Sequence, residues 1–501
     1  MRAPRSRTTA AALLSAAVAA PLLFAAAAPA GAQDAPRPAE HHAGQGEKAQ
    51  KLAKKLVKKS TGKSAYRHLE KFQEIADANG GNRAAGTKGH KASTKYVYDR
   101  LKKAGYKVSY QDFTFYESQT LREGAAVLSP EARKLNAVAF DFSKSTPEGG
   151  VQAAVAAARV DETPGCEADD YTSDTFTGKI ALVKRGACTF AEKEAAATKA
   201  GAIGLVLYNH SGDQPVKGNL EVPENAHIPA VGISKAEGEK LAEQVAKGEV
   251  KLSVDVATKA IPHKTRNVIA ETRGGRADRV VGLGAHLDSV PEGPGINDNG
   301  SGSAGLIEVA EKLAKETKGG KKLTNKVRFA WWSAEELGLL GSDHYVKTLT
   351  AKQKKNIKLY LNFDMIGSPN GAELVYDGDN SDNTGSGPGP KGSAQIEGLI
   401  NGFLDKKKVP HWGTDFDGRS DYGAFIANGI PAGGTFTGAE GLKTEEQAAK
   451  AGGKAGQPYD PNYHAAGDTL KNIDRKIFAT NIDVIAHAVG TYAHDLRSLK
   501  G

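Results

Sequence analysis

Cysteine is nearly absent from this 501-residue chain: there are two, Cys166 and Cys188, with two methionines and three tryptophans. In an exported chain this even pair points to one disulfide. Closing a loop of this length contributes roughly 3 kcal/mol on the chain-entropy model. There is also no strong charge imbalance. Lysine and arginine number 67 against 58 acids, for a formal charge of +9. That excess is too mild and too dispersed for a nucleic-acid footprint. No internal repeat is visible, and no long apolar run follows residue 28.

The one long apolar run is N-terminal. Arg2, Arg5 and Arg7 precede an Ala/Leu-rich stretch from Thr9 to Ala28, and Ala30-Gly31-Ala32 offers a small-residue cleavage site. This is the pattern of a signal peptide over 1–32, and Pro21 and the missing basic stop-transfer sequence argue against a stable membrane anchor. Its removal takes away three arginines and no acids, lowering the formal charge from +9 to +6. Residues 33–63 include a dense basic block, Lys48 to Lys63, with a weak apolar stripe of Leu52, Leu56 and Val57. They are read as a basic linker or propeptide.

What is present in quantity is hydrophobic patterning. Residues 64–124 begin with two amphipathic helices around a glycine-rich turn; Leu69, Phe72 and Ile75 mark the first, Tyr96, Val97 and Leu101 the second. Over 125–256 the texture shifts to short strands, alanine-rich segments and turns. From 257 to 501 long apolar strands alternate with amphipathic helices, a βαβ rhythm that predicts a mainly parallel sheet covered by helices. Ligands of such sheets bind beyond the carboxyl ends of the strands. There lie His286 and Asp288 after "VVGLGA", Glu335 and Glu336 after "FAWW", and Asp364 after "LYLNF", with Asp298 in the turn "GPGINDNGSG". Oxygen and imidazole ligands suit zinc or a harder first-row divalent ion, and a metal pair bridged by a carboxylate is one route to peptide hydrolysis.

Five segments in this order, "HLDSVPEGPGINDNGSG", "AWWSAEELGLLGSDHY", "NFDMIG", "GRSDYGAF" and "YHAAGDT", resemble the secreted di-zinc aminopeptidases of the bacterial leucyl-aminopeptidase type. Glutamate carboxypeptidases, glutaminyl cyclases and the inactive transferrin receptor belong to the same superfamily. The segment 125–256 resembles the protease-associated domain inserted in many of these proteins. The resemblance, over about 66–501, implies an α/β zinc exopeptidase fold: a mixed, mainly parallel sheet sandwiched by helices, with an inserted small α+β domain. It implies two zinc ions, one held by His286, Asp298 and Asp364, the other by Asp298, Glu336 and His464. Asp298 would bridge them, and Asp288 would orient His286. Glu335 matches the general base and Tyr463 the hydroxyl that steadies the oxyanion. Arg419 would reach toward the substrate, with Met365 and Phe436 lining the pocket for a first residue such as Leu, Met or Phe. Some relatives flank the Tyr-His pair with cysteines; here Asn462 and Gly467 occupy those places. The calcium ligands of some relatives have no match. His344 and His411 are expected to be structural.

The expected activity is removal of N-terminal residues from peptides and proteins, by a secreted monomer with no nucleic-acid partner. The alternatives are a carboxypeptidase or dipeptidase on the same two zinc ions, or an inactive binding protein.

Overall fold

The computed structural model describes residues 38–385 and 387–500. The leader expected over 1–32 lies outside the described residues. Runs that are apolar at consecutive positions form strands covered on both faces. The central one is Arg276–His286, with Asn325–Trp332 parallel on one side and Ile357–Phe363 parallel on the other. Ala432–Phe436 continues the parallel run. Beyond Asn325–Trp332 the sheet is extended antiparallel by Ala257–Glu271 and then Lys107–Arg122. Beyond Ala432–Phe436 come Leu374–Tyr376, antiparallel to it, and the edge strand Trp412–Thr414. The mixed, mainly parallel sheet expected from the sequence is borne out.

Period-two alternation divides the core. Trp331 joins the larger cluster, where Leu69, Phe72, Leu306, Leu313 and Ile482 bring helices Gly62–Asp77, Gly302–Thr317 and Arg475–Tyr492 onto one face. Its neighbour Trp332 faces the other way, into a smaller cluster with Tyr345, Tyr360, Tyr422 and Phe425. The basic block read as a linker is helical within Pro38–Lys59, and it buries Ala49, Leu52, Ala53 and Leu56. Its lysines stay on the outer side, so the basic composition describes only the exposed face.

A second sheet holds strands from Ala125–Ser129 to Lys251–Val254. Its parallel centre is Val151–Ala157, Ile180–Lys184, Gly204–Tyr208 and Ala230–Ile233. Apolar clusters cover both faces. The expected Cys166–Cys188 disulfide is present here, with Cα atoms 5.9 Å apart. This module hangs on one long ribbon, in which Lys107 pairs with Glu271 at the base and Arg122 with Ala257 at the tip. Among the described residues no helix is long and apolar enough to cross a membrane.

Candidate metal centre

His286 is buried at the carboxyl end of the central strand. Its Nδ1 lies 3.2 Å from the Asp288 carbonyl oxygen, and an N–H donated there leaves the lone pair on Nε2. That nitrogen meets Asp298 Oδ1 at 3.1 Å and Asp364 Oδ1 at 3.3 Å, with Glu335 Oε2 farther off at 3.8 Å. A second imidazole faces the same aspartate. His464 Nε2 is 2.9 Å from Glu336 Oε2 and 3.2 Å from Asp298 Oδ2. Asp298 therefore turns one oxygen toward each histidine. His286, Asp298 and Asp364 offer ligand atoms within 4.8 Å of one another, as do Asp298, Glu336 and His464.

Both trios fit divalent cations on their own chemistry. Among the described residues, Asp364 Oδ1 and Glu336 Oε1 are buried without a hydrogen-bond donor, which is costly for carboxylates unless a cation meets them. Burial and neighbouring acids push Glu335 well above the carboxylate range. Burial and Asp298 raise Glu336 to about 7. For His464 burial acts the other way, yet hydrogen bonds to Asp298 and Glu336 hold its imidazolium up to about 10.

The backbone holds this arrangement in place. Asp298 lies in the irregular segment Ile296–Ser301, where the Asp468 carboxylate accepts the amides of Asn297 at 2.8 Å and Asp298 at 2.9 Å. Ser420 donates its hydroxyl to Asp364 Oδ2 at 2.6 Å. Arg83, wholly buried, donates Nε to the Pro294 carbonyl at 2.8 Å and its two terminal nitrogens to those of Leu287 and Gly295. It clamps the loop between His286 and Asp298 from below. Arg83 and Asp468 had no role assigned from sequence. An arginine inside the small-residue run "GGNRAAG" was the available signal for the first.

The strand ends at Trp332, and Glu335 and Glu336 sit in the turn that follows it. Ala334 is left-handed at φ 58°, and the Glu335 carbonyl accepts the Gly338 and Leu339 amides at 2.8 and 2.9 Å. The group nearest His286 Nδ1 is the Asp288 carbonyl; the Asp288 carboxylate is 3.8 Å away and accepts the Glu335 amide at 3.4 Å.

Tyr463 stacks on His464 with centroids 3.8 Å apart, and its hydroxyl accepts from Arg419 at 3.2 Å. Arg419 also spans Glu440, with nitrogens 2.8 and 3.3 Å from its two oxygens. Glu440 had no sequence signal. A β-carbon at Gly467 would fall 2.0 Å from the Asn462 side-chain oxygen, and Asn462 donates to Asn472 at 2.7 Å. Amide packing ties this loop where some relatives are expected to carry cysteines. Met365, Phe436, Tyr376 and Tyr422 line one cleft with Asp298, Glu335, Glu336 and Asp364. His344 stacks on Phe113, and His411 lies against the Val409 carbonyl; neither lines the cleft.

The family model for Peptidase family M28 matches residues 267–489, and that for the PA domain matches 151–241. A leucine aminopeptidase 2 of Trichophyton tonsurans is 46% identical over 435 residues, 86% of this chain and 84% of its own. The chain belongs to peptidase family M28. Within that family it is also similar to a probable lipoprotein aminopeptidase of Mycobacterium tuberculosis, 43% identical over 87% of this chain and 85% of the relative. Among solved structures, an aminopeptidase from Aneurinibacillus sp. strain AM-1 matches with a TM-score of 0.61 at 25% identity, over 88% of this chain and 95% of that one. A metallo-aminopeptidase of family M28 with an inserted PA domain, as the motifs implied, is borne out.

Proposed function

We propose that this M28 peptidase is a secreted aminopeptidase that works with two zinc ions and prefers large apolar first residues. The observation that carries the reading is the pair of acid–imidazole trios sharing Asp298, with Glu335 Oε2 3.8 Å from the His286 nitrogen. His286 and Asp364 would hold one zinc, Glu336 and His464 the other, and Asp298 both. Zinc bound there supplies Lewis acidity, which polarises a carbonyl and makes water easier to deprotonate. Glu335 takes the proton from the attacking water and returns it to the leaving amine, since its shielded carboxyl binds protons more tightly than an ordinary one. Tyr463, braced by Arg419, donates its hydroxyl to the oxyanion. The excess of carboxylates favours an ammonium group at the substrate's end, and Met365 and Phe436 favour an apolar side chain beside it.

Arg419 also weighs against the carboxypeptidase alternative. It is the motif-linked cation available for a terminal carboxylate, and its fork is engaged by Glu440. The disulfide and the leader-like N-terminus support an extracellular site of action. Kinetics with leucine p-nitroanilide and its N-acetyl derivative test the reading. The free amine should be cleaved and the blocked one not. Comparable rates on both would remove the aminopeptidase assignment.

A further inference from the structure

The cleft extends past the apolar wall to the segment that follows the edge strand Trp412–Thr414. There Phe416 turns inward and stacks on Tyr376, with centroids 5.2 Å apart, while Tyr422 meets Tyr376 edge-on at 4.7 Å. The two acids flanking Phe416 both line the cleft, but they differ. Asp417 is engaged, accepting the Tyr422 hydroxyl at 2.6 Å and the Arg419 amide at 2.9 Å. Asp415 is half-buried, and among the described residues it has neither a hydrogen-bond donor nor a cation as partner. A β-carbon at Gly385 would come within 1.8 Å of its Oδ1, so the neighbouring loop leaves room for this carboxylate where any side chain would displace it. Arg419 lines the same cleft but is spanned by Glu440, so it does not neutralise Asp415.

An apolar, aromatic wall ending in an unpaired, partly desolvated carboxylate has a definite complement: a side chain with an alkyl stem and a cationic tip. We infer that the pocket for the first residue also accepts lysine and arginine, their stems lying along Met365, Phe436 and Tyr376 and their charge meeting Asp415. This rests on the aminopeptidase reading above and extends its substrate class from apolar to basic first residues. An apolar side chain leaves the Asp415 carboxylate to water, and a basic one pairs with it, so one pocket serves both.

The test uses the zinc-loaded full-length protein with p-nitroanilides of leucine, lysine and norleucine, the last having lysine's stem without its ammonium. Lysine should be cleaved, and Asp415→Asn should lower the ratio of kcat/KM for lysine over norleucine by about tenfold, as expected for loss of one partly desolvated charge pair. A variant-independent check is inhibition of leucine p-nitroanilide hydrolysis by n-butylguanidinium, which should compete more strongly than n-butanol does on the wild-type protein. Cleavage of leucine together with an unmoved lysine-to-norleucine ratio, or equal inhibition by the two butyl compounds, overturns the role of Asp415 alone. Failure to cleave any anilide removes the aminopeptidase reading and this inference with it.

Discussion

Glutamine placed singly at Glu335 and at Glu336 should impair the protein in two distinguishable ways. The substitution keeps the shape of the side chain and removes its negative charge. Glu335 stands 3.8 Å from the His286 nitrogen, outside the close contacts of either trio, whereas Glu336 lies 2.9 Å from His464 and is one of three residues in its trio. Glu335→Gln should therefore keep both zinc ions while losing the proton acceptor. A positioned acid–base group supplies ~10²–10⁴-fold in rate, which is about 2.7–5.5 kcal/mol on the barrier. On the proposed ligand set, Glu336→Gln removes a direct ligand. Losing even an indirect partner of a metal typically costs ~10–100-fold in affinity, so zinc binding should weaken by at least that much. Metal content after dialysis, followed by kcat on leucine p-nitroanilide with and without added zinc, separates the two. Glu335→Gln should show full metal and low kcat; Glu336→Gln should show a zinc deficit and partial recovery on addition. The opposite pattern would reverse the roles of the two residues.

Three further outcomes follow from features away from, or preceding, catalysis. Burial raises Glu373 from the ordinary 4.5 to about 8. The folded protein thus retains a proton that the unfolded chain loses above about pH 4.5, and stability falls as pH rises toward 8, by about 5 kcal/mol in all. Glu373→Gln should be more stable than the wild type in urea at pH 8, with the gain vanishing near pH 4.5; a pH-independent difference would contradict the burial argument. On the proposed ligand set, zinc binding displaces the protons held by His464 and Glu336, raised to about 10 and about 7. Chelator competition should then show apparent zinc affinity rising as pH increases from about 6 to 8, and a flat profile would mean those groups do not bind the metal. Mass spectrometry of the exported protein should find an N-terminus near Gln33 and no alkylatable thiol, and two modified cysteines in the native protein would exclude the bridge in solution.

The central strands were legible because a doubly covered strand must be apolar at nearly every position, and Val327–Trp332 and Ile357–Phe363 leave few other readings. His286, Glu335, Glu336 and Asp364 were legible for the same reason, each at or just past the end of such a strand, whereas Asp298 lies in a glycine-rich turn and His464 was legible only through the motif resemblance. The helix within Pro38–Lys59 was only faintly legible in the stripe of Leu52, Leu56 and Val57, because Ala49 and Ala53 carry part of its packing and alanine leaves little trace in a lysine-rich window. The turn at Glu335 was hidden because its left-handed residue is Ala334, where a glycine or asparagine would have announced it. Contacts made by backbone, such as the Asp288 carbonyl on His286, have no side-chain signature at all. Glu440 meets Arg419 from 21 residues away, with no local pattern linking them.

The long ribbon of Lys107–Arg122 and Ala257–Glu271 bears on how such a protein could arise. Arg122 and Ala257 are paired neighbours at its tip, although 134 residues of chain lie between them. Joined by a short turn, the same two strands would close as an ordinary β-hairpin at the margin of the peptidase sheet. The PA module therefore occupies the place of a hairpin loop, and its gain or loss demands no change of strand order in the enzyme beneath. In evolutionary terms the ribbon is a socket: lineages could exchange what is plugged into its tip while selection on the metal centre, at the far ends of other strands, proceeds undisturbed.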